Sequence, residues 1–410
     1  MKELQAILDR VMNPETNPET NLETNLETNP GMNPGMNIPD RPSDFALATL
    51  VKTMGSSYRR SGARMLVTAT GECIGTLSGG CLEHDVAEQA QEVLRSHIPR
   101  LVTYDTTAQD DIIWGLGLGC NGVIQILIES LDLQSPFHAL RLLQQGLQTQ
   151  RSSVLVSVFR VEQTKEIAVG ARLLLDATGR VISNISHAQL QEMAIADAQK
   201  ALQGDRSSTR QYALETGVVE ALIEVVKPAV PLVIFGAGHD AVPIAHLAKL
   251  LGWQVTVVDC RAREATRERF AFVDRVVLAR PETFQEQVTV TDQTMAVLVN
   301  HHYLDDLEIL TQLFQSPVRY IGCLGAKSRR DRLLNELSPN GIPLTSQQLQ
   351  RFYAPVGLEI GADTPETIAL AIVAEIQKCL TESSGQSLRD RAHAIHPLFD
   401  PSRLQIHSSI

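Results

Sequence analysis

Residues 232–241 read LVIFGAGHDA, and residues 254–259 read QVTVVD. The apolar run ends at Gly236, and Gly236, Gly238 and Ala241 then stand in the spacing GxGxxA ahead of a helical pattern. In this arrangement the first glycine permits a tight turn out of a strand and the second lets the backbone approach a phosphate. A small third residue lets helix and strand pack, and amides at the helix start face the anion. Asp259 ends the next apolar run about 20 residues later, where a carboxylate meets a ribose hydroxyl in a β-α-β unit. Gly236, Gly238, His239 and Asp259 are therefore candidate cofactor-binding residues of a nucleotide cradle. Asp259 favours a free ribose hydroxyl and Arg261 a phosphorylated one, so both forms of NAD(P) stay open.

Outward from this motif, PLVIF, QVTVV, RVVLA, MAVLV and RYIGC recur between helical stretches, the rhythm of a parallel sheet covered on both faces. The last strong helix is TPETIALAIVAEIQKCL, with Thr364 as cap, Pro365 at its first position and Glu366 in its first turn. Asn300, His301 and His302 follow MAVLV at the strand end where open α/β sheets place ligands, which marks His301 as a site residue. Adjacent histidines point apart, so His301 and His302 do not suggest a shared metal.

The expected class is α/β, with an N-terminal α/β domain built on a mixed sheet at 41–228 and a C-terminal Rossmann-type parallel-sheet domain at 229–380. Pro228 marks the boundary. Upstream, FALATLVKTM, ARMLVT, ECIGTL, RLVTYDT, VIQILIES, SSVLVSVFR and ARLLLD read as strands, with helices around 82–94, 136–147 and 188–202. Residues 1–40 are expected to be disordered. NPET, NLET and NPGM tetrapeptides fill 13–36 with too few apolar side chains to offset ordering, and 3–12 form at most a detached amphipathic turn. Residues 381–410 read as a flexible tail.

The 410 residues carry a net charge of -11, which argues against a nucleic-acid partner, since phosphates require a positive surface. No apolar run reaches the roughly 20 residues that span a bilayer, and the N-terminus lacks a signal-peptide core. Six scattered cysteines without a CxxC pair suit reduced thiols, so a cytoplasmic location is expected.

Three loops in the N-terminal half concentrate glycine beside strands: GSSYRRSGAR (55–64), SGGCLE (78–83) and GLGLGCNG (115–122). Their amides suit an anion, and Arg59, Arg60 and Arg64 suit a phosphate. Cys81 sits where a helix should begin, a position that favours thiolate. Cys120 lies between Gly119 and Asn121 with little side-chain cover. Glu83 and His84 equally suit ordinary first-turn helix positions.

Taken in order, GSSYRRSGARMLV, GTLSGGCLE, GLGLGCNGVIQILIE, LVIFGAGHDAVPIAHLAKLLGWQVTVVDCR, NHHYLDD, YIGCLGAKSRRDRL and APVGLEIGADTPETIALAIVAEI resemble the XdhC/CoxI family of accessory proteins for molybdenum hydroxylases. The resemblance covers about 44–380. It departs at Asn300, where a Thr is expected, and at Tyr58, where a Pro is common. It implies a non-catalytic factor that binds the molybdenum cofactor, a molybdopterin, and delivers it after sulfuration to a molybdenum hydroxylase such as xanthine dehydrogenase. Under that reading Cys81 and Cys120 are the molybdenum or sulfur contacts and metal ligands. Arg59, Arg64, Gly79, Gly80 and Glu83 hold the cofactor's polar end. A cysteine desulfurase and a second copy of the chain, as a homodimer, are the implied partners. The competing expectation is an NAD(P)-dependent oxidoreductase built on the glycine motif.

Overall fold

The computed structural model describes residues 2–12, 44–55, 57–105, 122–263, 265–337 and 344–391. The tetrapeptide repeat at 13–36, Cys120 with the rest of 115–121, and 392–410 of the expected tail lie outside them. Contacts divide the chain after Pro228, with Glu3–Pro228 in one compact unit and Ala229–Asp390 in another. No described helix is long and apolar enough to cross a membrane.

The first unit opens with α1 (Lys2–Met12). A five-stranded sheet follows, built from β1 (Phe45–Gly55), β2 (Arg64–Thr68), β3 (Cys73–Gly75), β4 (Arg100–Asp105) and β5 (Gly122–Ser130), with α2 (Glu83–Ser96) between β3 and β4. After α3 (Ala139–Gln148), the same plan returns. Strands β6 (Ser153–Glu162), β7 (Arg172–Leu175), β8 (Val181–Ser183), β9 (Ser208–Leu214) and β10 (Gly217–Val226) form the second sheet, with α4 (Ala188–Gly204) between β8 and β9. The spatial orders are β3-β2-β1-β5-β4 and β8-β7-β6-β10-β9, so the two halves share one topology. Every pairing in both sheets is antiparallel, which replaces the single mixed sheet expected from sequence.

The duplication is written in the sequence. GARMLVTATGECIGTLSGGCLEHDVAEQAQEVL (62–94) lies over GARLLLDATGRVISNISHAQLQEMAIADAQKAL (170–202) without a gap, and GVIQILIE (122–129) lies over GVVEALIE (217–224). Residues common to both halves do the same structural work. Arg64 Nη1 donates to Gly62 O at 2.8 Å and to Glu224 Oε1 at 2.8 Å, and Nη2 donates to Glu224 Oε2. Arg172 repeats this with Gly170 O at 2.8 Å and with Glu129 Oε2. Each half's arginine therefore grips the other half's glutamate. Both turns favour glycine, because Gly62 and Gly170 have φ 98° and 87° and a Cβ on either would also crowd the gripped carboxylate, at 2.8 Å from Glu224 Oε1 and 2.6 Å from Glu129 Oε1.

Helix α1 is part of this unit rather than a detached turn. Ile7, Leu8 and Val11 repeat at helical spacing and are buried with Phe45, Leu47, Leu140 and Leu155. Burial of each side chain stabilises the docked helix by about 1.5–3 kcal/mol.

In the second unit, β11 (Pro231–Phe235), β12 (Gln254–Asp259), β13 (Arg275–Leu278), β14 (Met295–Leu298), β15 (Tyr320–Cys323) and β16 (Phe352–Tyr353) form one parallel sheet in the order β13-β12-β11-β14-β15-β16. Side chains alternate between its faces. Leu232 and Ile234 join one core with α5 (Ala241–Leu250) and α9 (Pro365–Thr381). Val233 and Phe235 join the other with α6 (Tyr303–Gln315) and α7 (Lys327–Leu337). A short α8 (Ser346–Gln350) precedes β16. The strand order reverses between β11 and β14, and such a switch point opens a crevice at the carboxyl ends of the strands.

Candidate functional site

Gly236 follows β11 and Asn300 follows β14, so both stand at that crevice. Gly236 has φ 105°, and a Cβ there would lie 2.8 Å from Asn300 Oδ1, so the two loops abut only because residue 236 has no side chain. A Cβ on Gly238 would meet only His301 Nε2, at 3.9 Å. Gly238 thus leaves open the approach to the start of α5, whose cap residue Asp240 makes no side-chain capping bond. His239 and His301 are exposed beside it. His301 Nε2 lies 3.5 Å from Asp240 Oδ2, whereas His302 Nδ1 lies 2.9 Å from Asp305 Oδ1, so the adjacent histidines serve different partners.

Asp259 does not present a free carboxylate to a ribose. Its side chain is 1% exposed and accepts from Ala237 N at 2.6 Å, Arg261 N at 2.8 Å, Arg261 Nε at 2.9 Å and Arg261 Nη2 at 2.6 Å. Burial alone would raise its pKa, but Arg261 and the Ala237 amide outweigh burial and hold it below the ordinary range. Asp259 therefore pins the glycine loop to β12. Sequence reasoning missed Cys260, an exposed thiol in a small crevice with Asp259, Arg280, Asn300 and Asp305. Its position directly after β12 was the available signal.

In the first unit, Glu83 lies at the centre of the SGGC loop. Its Oε1 accepts from Leu77 N at 2.9 Å and Ser78 N at 2.8 Å. Its Oε2 accepts from Gly80 N at 2.9 Å, Leu82 N at 3.1 Å and Ser78 Oγ at 2.6 Å. Burial pushes this carboxyl up, yet the hydroxyl and amides prevail and bring its pKa down to about 2. The loop amides expected to receive an external anion are thus largely taken by the protein's own carboxylate. Gly79 and Gly80 adopt φ 81° and 112°, Tyr58 lies against Gly79, and nothing lies within 4 Å of a Cβ on Gly80. The Cys81 thiol is exposed directly after them.

Neither expected arginine is a free phosphate ligand. Arg64 is 6% exposed and committed to Glu224. Arg59 Nη1 donates to Glu3 Oε1 at 2.9 Å and Thr76 Oγ1 at 3.0 Å, and Nη2 pairs with Glu3 Oε2, so α1 holds this guanidinium. Arg60 lines a hollow of about 420 Å³ with Tyr58, Ser61 and Ser207. Among the described residues, no group of three His, Cys, Asp or Glu converges as a metal site.

The duplication separates fold from function within this unit. Tyr58, Arg59 and Arg60 align with Glu166, Ile167 and Ala168, while Gly79, Gly80 and Cys81 align with His187, Ala188 and Gln189. In the second half, His187 Nδ1 caps α4 by accepting from Leu190 N at 3.3 Å. The first half uses its aligned positions for two glycines, Gly79 against Tyr58 and Gly80 open, and an exposed thiol. The shared topology does not require these residues.

A family model described as the XdhC Rossmann domain matches residues 232–376, and the XdhC and CoxI family model matches 40–105 and 147–213, which contain the opening strands and helix of each duplicated half. The chain is 34% identical over 333 residues to a probable xanthine dehydrogenase subunit from Bacillus subtilis (strain 168), covering 80% of this chain and 91% of that one. It is 24% identical to the molybdenum cofactor insertion chaperone PaoD of Escherichia coli (strain K12), covering 80% and 81%. A crystal structure of a xanthine dehydrogenase from Bacillus halodurans superposes with a TM-score of 0.66 at 30% identity, covering 84% of this chain and 94% of that one. The chain belongs to the XdhC/CoxI family.

Proposed function

We propose that this protein is a maturation factor that binds the molybdenum cofactor and delivers it, after sulfuration, to a molybdenum hydroxylase such as xanthine dehydrogenase. The observation that carries this reading is the asymmetry of the duplicated unit, in which an exposed thiol follows a glycine pair, Gly80 of which is open, in only one half. Relatives named for xanthine dehydrogenase and for cofactor insertion support the same assignment.

The residues fit such a guest. When bound, molybdopterin brings a phosphate and a dithiolene that holds the metal. Gly80, with open space where a Cβ would be, admits a close approach. Cys81 offers soft sulfur, and Arg60 with Tyr58 and Ser61 offers a polar hollow. In the second unit, Gly238 and the start of α5 suit a phosphate. His239 and His301 flank that place. A cysteine desulfurase as sulfur source, a homodimeric state and a cytoplasmic location belong to the same proposal. The NAD(P)-dependent oxidoreductase is the weaker reading, because Asp259 is already bonded to the glycine loop and to Arg261.

The test is anaerobic retention of isolated cofactor by the wild type, by the double variant Cys81→Ala/Cys120→Ala, and by a variant carrying Gly79→His, Gly80→Ala and Cys81→Gln. The last gives the loop its second-half sequence. Loss of retention in both variants, with unchanged circular dichroism, supports the proposal. Retention equal to wild type in both dismisses the loop and its thiol as the cofactor site.

A further inference from the structure

A cavity of about 590 Å³ lies at the other edge of the parallel sheet, among Arg319, Tyr320, Arg351, Tyr353, Lys378 and Cys379. Residues 317–319 precede β15, Arg351 precedes β16, and 378–383 close α9. The cavity therefore sits at the amino ends of the strands, whereas the glycine loop follows the carboxyl end of β11. Nothing in the proposed function uses it.

Its charge is unlike that of the protein as a whole. The chain carries -11, whereas the cavity is lined by three cations and one carboxylate among the described residues. The Arg319 guanidinium and the Lys378 ammonium have no hydrogen-bond or ion-pair partner among the described residues. Arg351 adds a third cation. It donates to the carbonyls of Ser316 at 2.8 Å, Val318 at 2.7 Å and Phe314 at 2.8 Å, so its charge is fixed in the wall without a carboxylate.

The nearby carboxylates do not cancel this charge. Glu375 is buried behind the wall, accepting from Tyr320 Oη at 2.6 Å and Gly357 N at 3.0 Å. Glu382 is the only carboxylate lining the cavity among the described residues. The carbonyl end of α9 also points here and disfavours an anion, but Lys378 in the last turn of α9 opposes that partial charge. Tyr353, half-buried, is held in the wall by stacking on the buried Tyr320 ring, with centroids 4.6 Å apart.

We infer that this cavity binds a small, multiply charged oxyanion, a phosphorylated or polycarboxylate metabolite held between Arg319 and Lys378. Planar guanidinium and mobile ammonium donors together suit such a group. The site is independent of cofactor handling.

Cys379 serves as a local reporter. Its alkylation by iodoacetamide in the full-length protein is followed by peptide mass spectrometry with added pyrophosphate, with citrate, or with sodium chloride at matched ionic strength. Pyrophosphate or citrate should slow Cys379 labelling about tenfold once it exceeds its dissociation constant tenfold. Labelling of Cys81 should not change. The variant Arg319→Gln/Lys378→Gln should lose the protection while keeping the wild-type melting temperature. Protection by pyrophosphate alone assigns a phosphorylated ligand, and protection by citrate alone assigns a carboxylate. No protection, equal protection by chloride, or protection that survives in the variant overturns the inference.

Discussion

Glu83 and His138 show how single side chains fix local structure and make it sensitive to acid. Glu83 has its pKa brought down to about 2 in the folded protein, below the ordinary 4.5, so the unfolded chain binds its proton more readily. Its contribution is fully present above about pH 4.5 and is lost as pH falls towards 2. His138 caps α3 by accepting from Arg141 N, which requires the neutral ring. Burial first, then the cations of Arg141 and Arg172, push its pKa down to about 4 from 6.5. Its contribution is present above about pH 6.5 and is lost as pH falls towards 4. Acid titration of stability should therefore lose Glu83's share in Glu83→Gln and His138's share in His138→Asn, which keeps a cap. Urea denaturation midpoints at stepwise pH check both, and an unaltered pH slope in either variant refutes that assignment. Sequence reasoning offered Glu83 as a ligand for the cofactor or as a first-turn residue. It could not show that the carboxylate turns back onto four amides, because that depends on the positive φ of Gly79 and Gly80.

At the scale of elements, two contacts of different worth hold the first unit. The Arg59–Glu3 pair is partly exposed, so its gain is screened to under about 1 kcal/mol. Ile7 is completely buried. Glu3→Gln should therefore cost little, whereas Ile7→Ala should cost about 2–5 kcal/mol. Chemical denaturation distinguishes them, and equal losses would mean that the ion pair holds α1. The reciprocal Arg64–Glu224 and Arg172–Glu129 pairs are buried on both sides. Removing one partner strands a charge in the interior, so Arg64→Met and Arg172→Met should each lose about 3–5 kcal/mol. Glu224→Leu added to Arg64→Met should recover most of its loss. A double variant no more stable than the single one would contradict the account. Most strands of this unit were legible as β-rich runs, and α2 and α4 as helical patterns. The pairing of β1 with β5 was not, because it closes over three intervening strands and a helix. The duplication is hard to see because the shared residues fall in short runs, GAR and ATG within 62–71 and LIE at 127–129, with diverged sequence between them. Their charged members also read as ordinary surface residues until the partner half is in view.

At the scale of the whole molecule, the second unit was the more legible. A parallel sheet buried on both faces requires apolar strands at regular intervals, and five of its six strands show that pattern in sequence. The missing β16 is only Phe352–Tyr353, too short to carry a period. The glycine loop was equally readable, but the role of Asp259 was not, since sequence cannot distinguish a carboxylate facing a ligand from one facing Ala237 N. Each unit also has its own cores. Leu232, Ile234 and Trp253 pack within one unit, and Leu47, Leu155 and Val226 pack within the other. Separate cores allow separate unfolding. Trp253 is buried in the second unit, so its fluorescence reports on that unit once Trp114→Phe removes the other tryptophan. In this background Arg64→Met should lower the denaturation midpoint of the antiparallel unit, followed by far-ultraviolet circular dichroism as an earlier step, and leave the Trp253 transition in place. If the Trp253 transition shifts by the same amount, the two units unfold as one cooperative body and the division after Pro228 has no thermodynamic meaning.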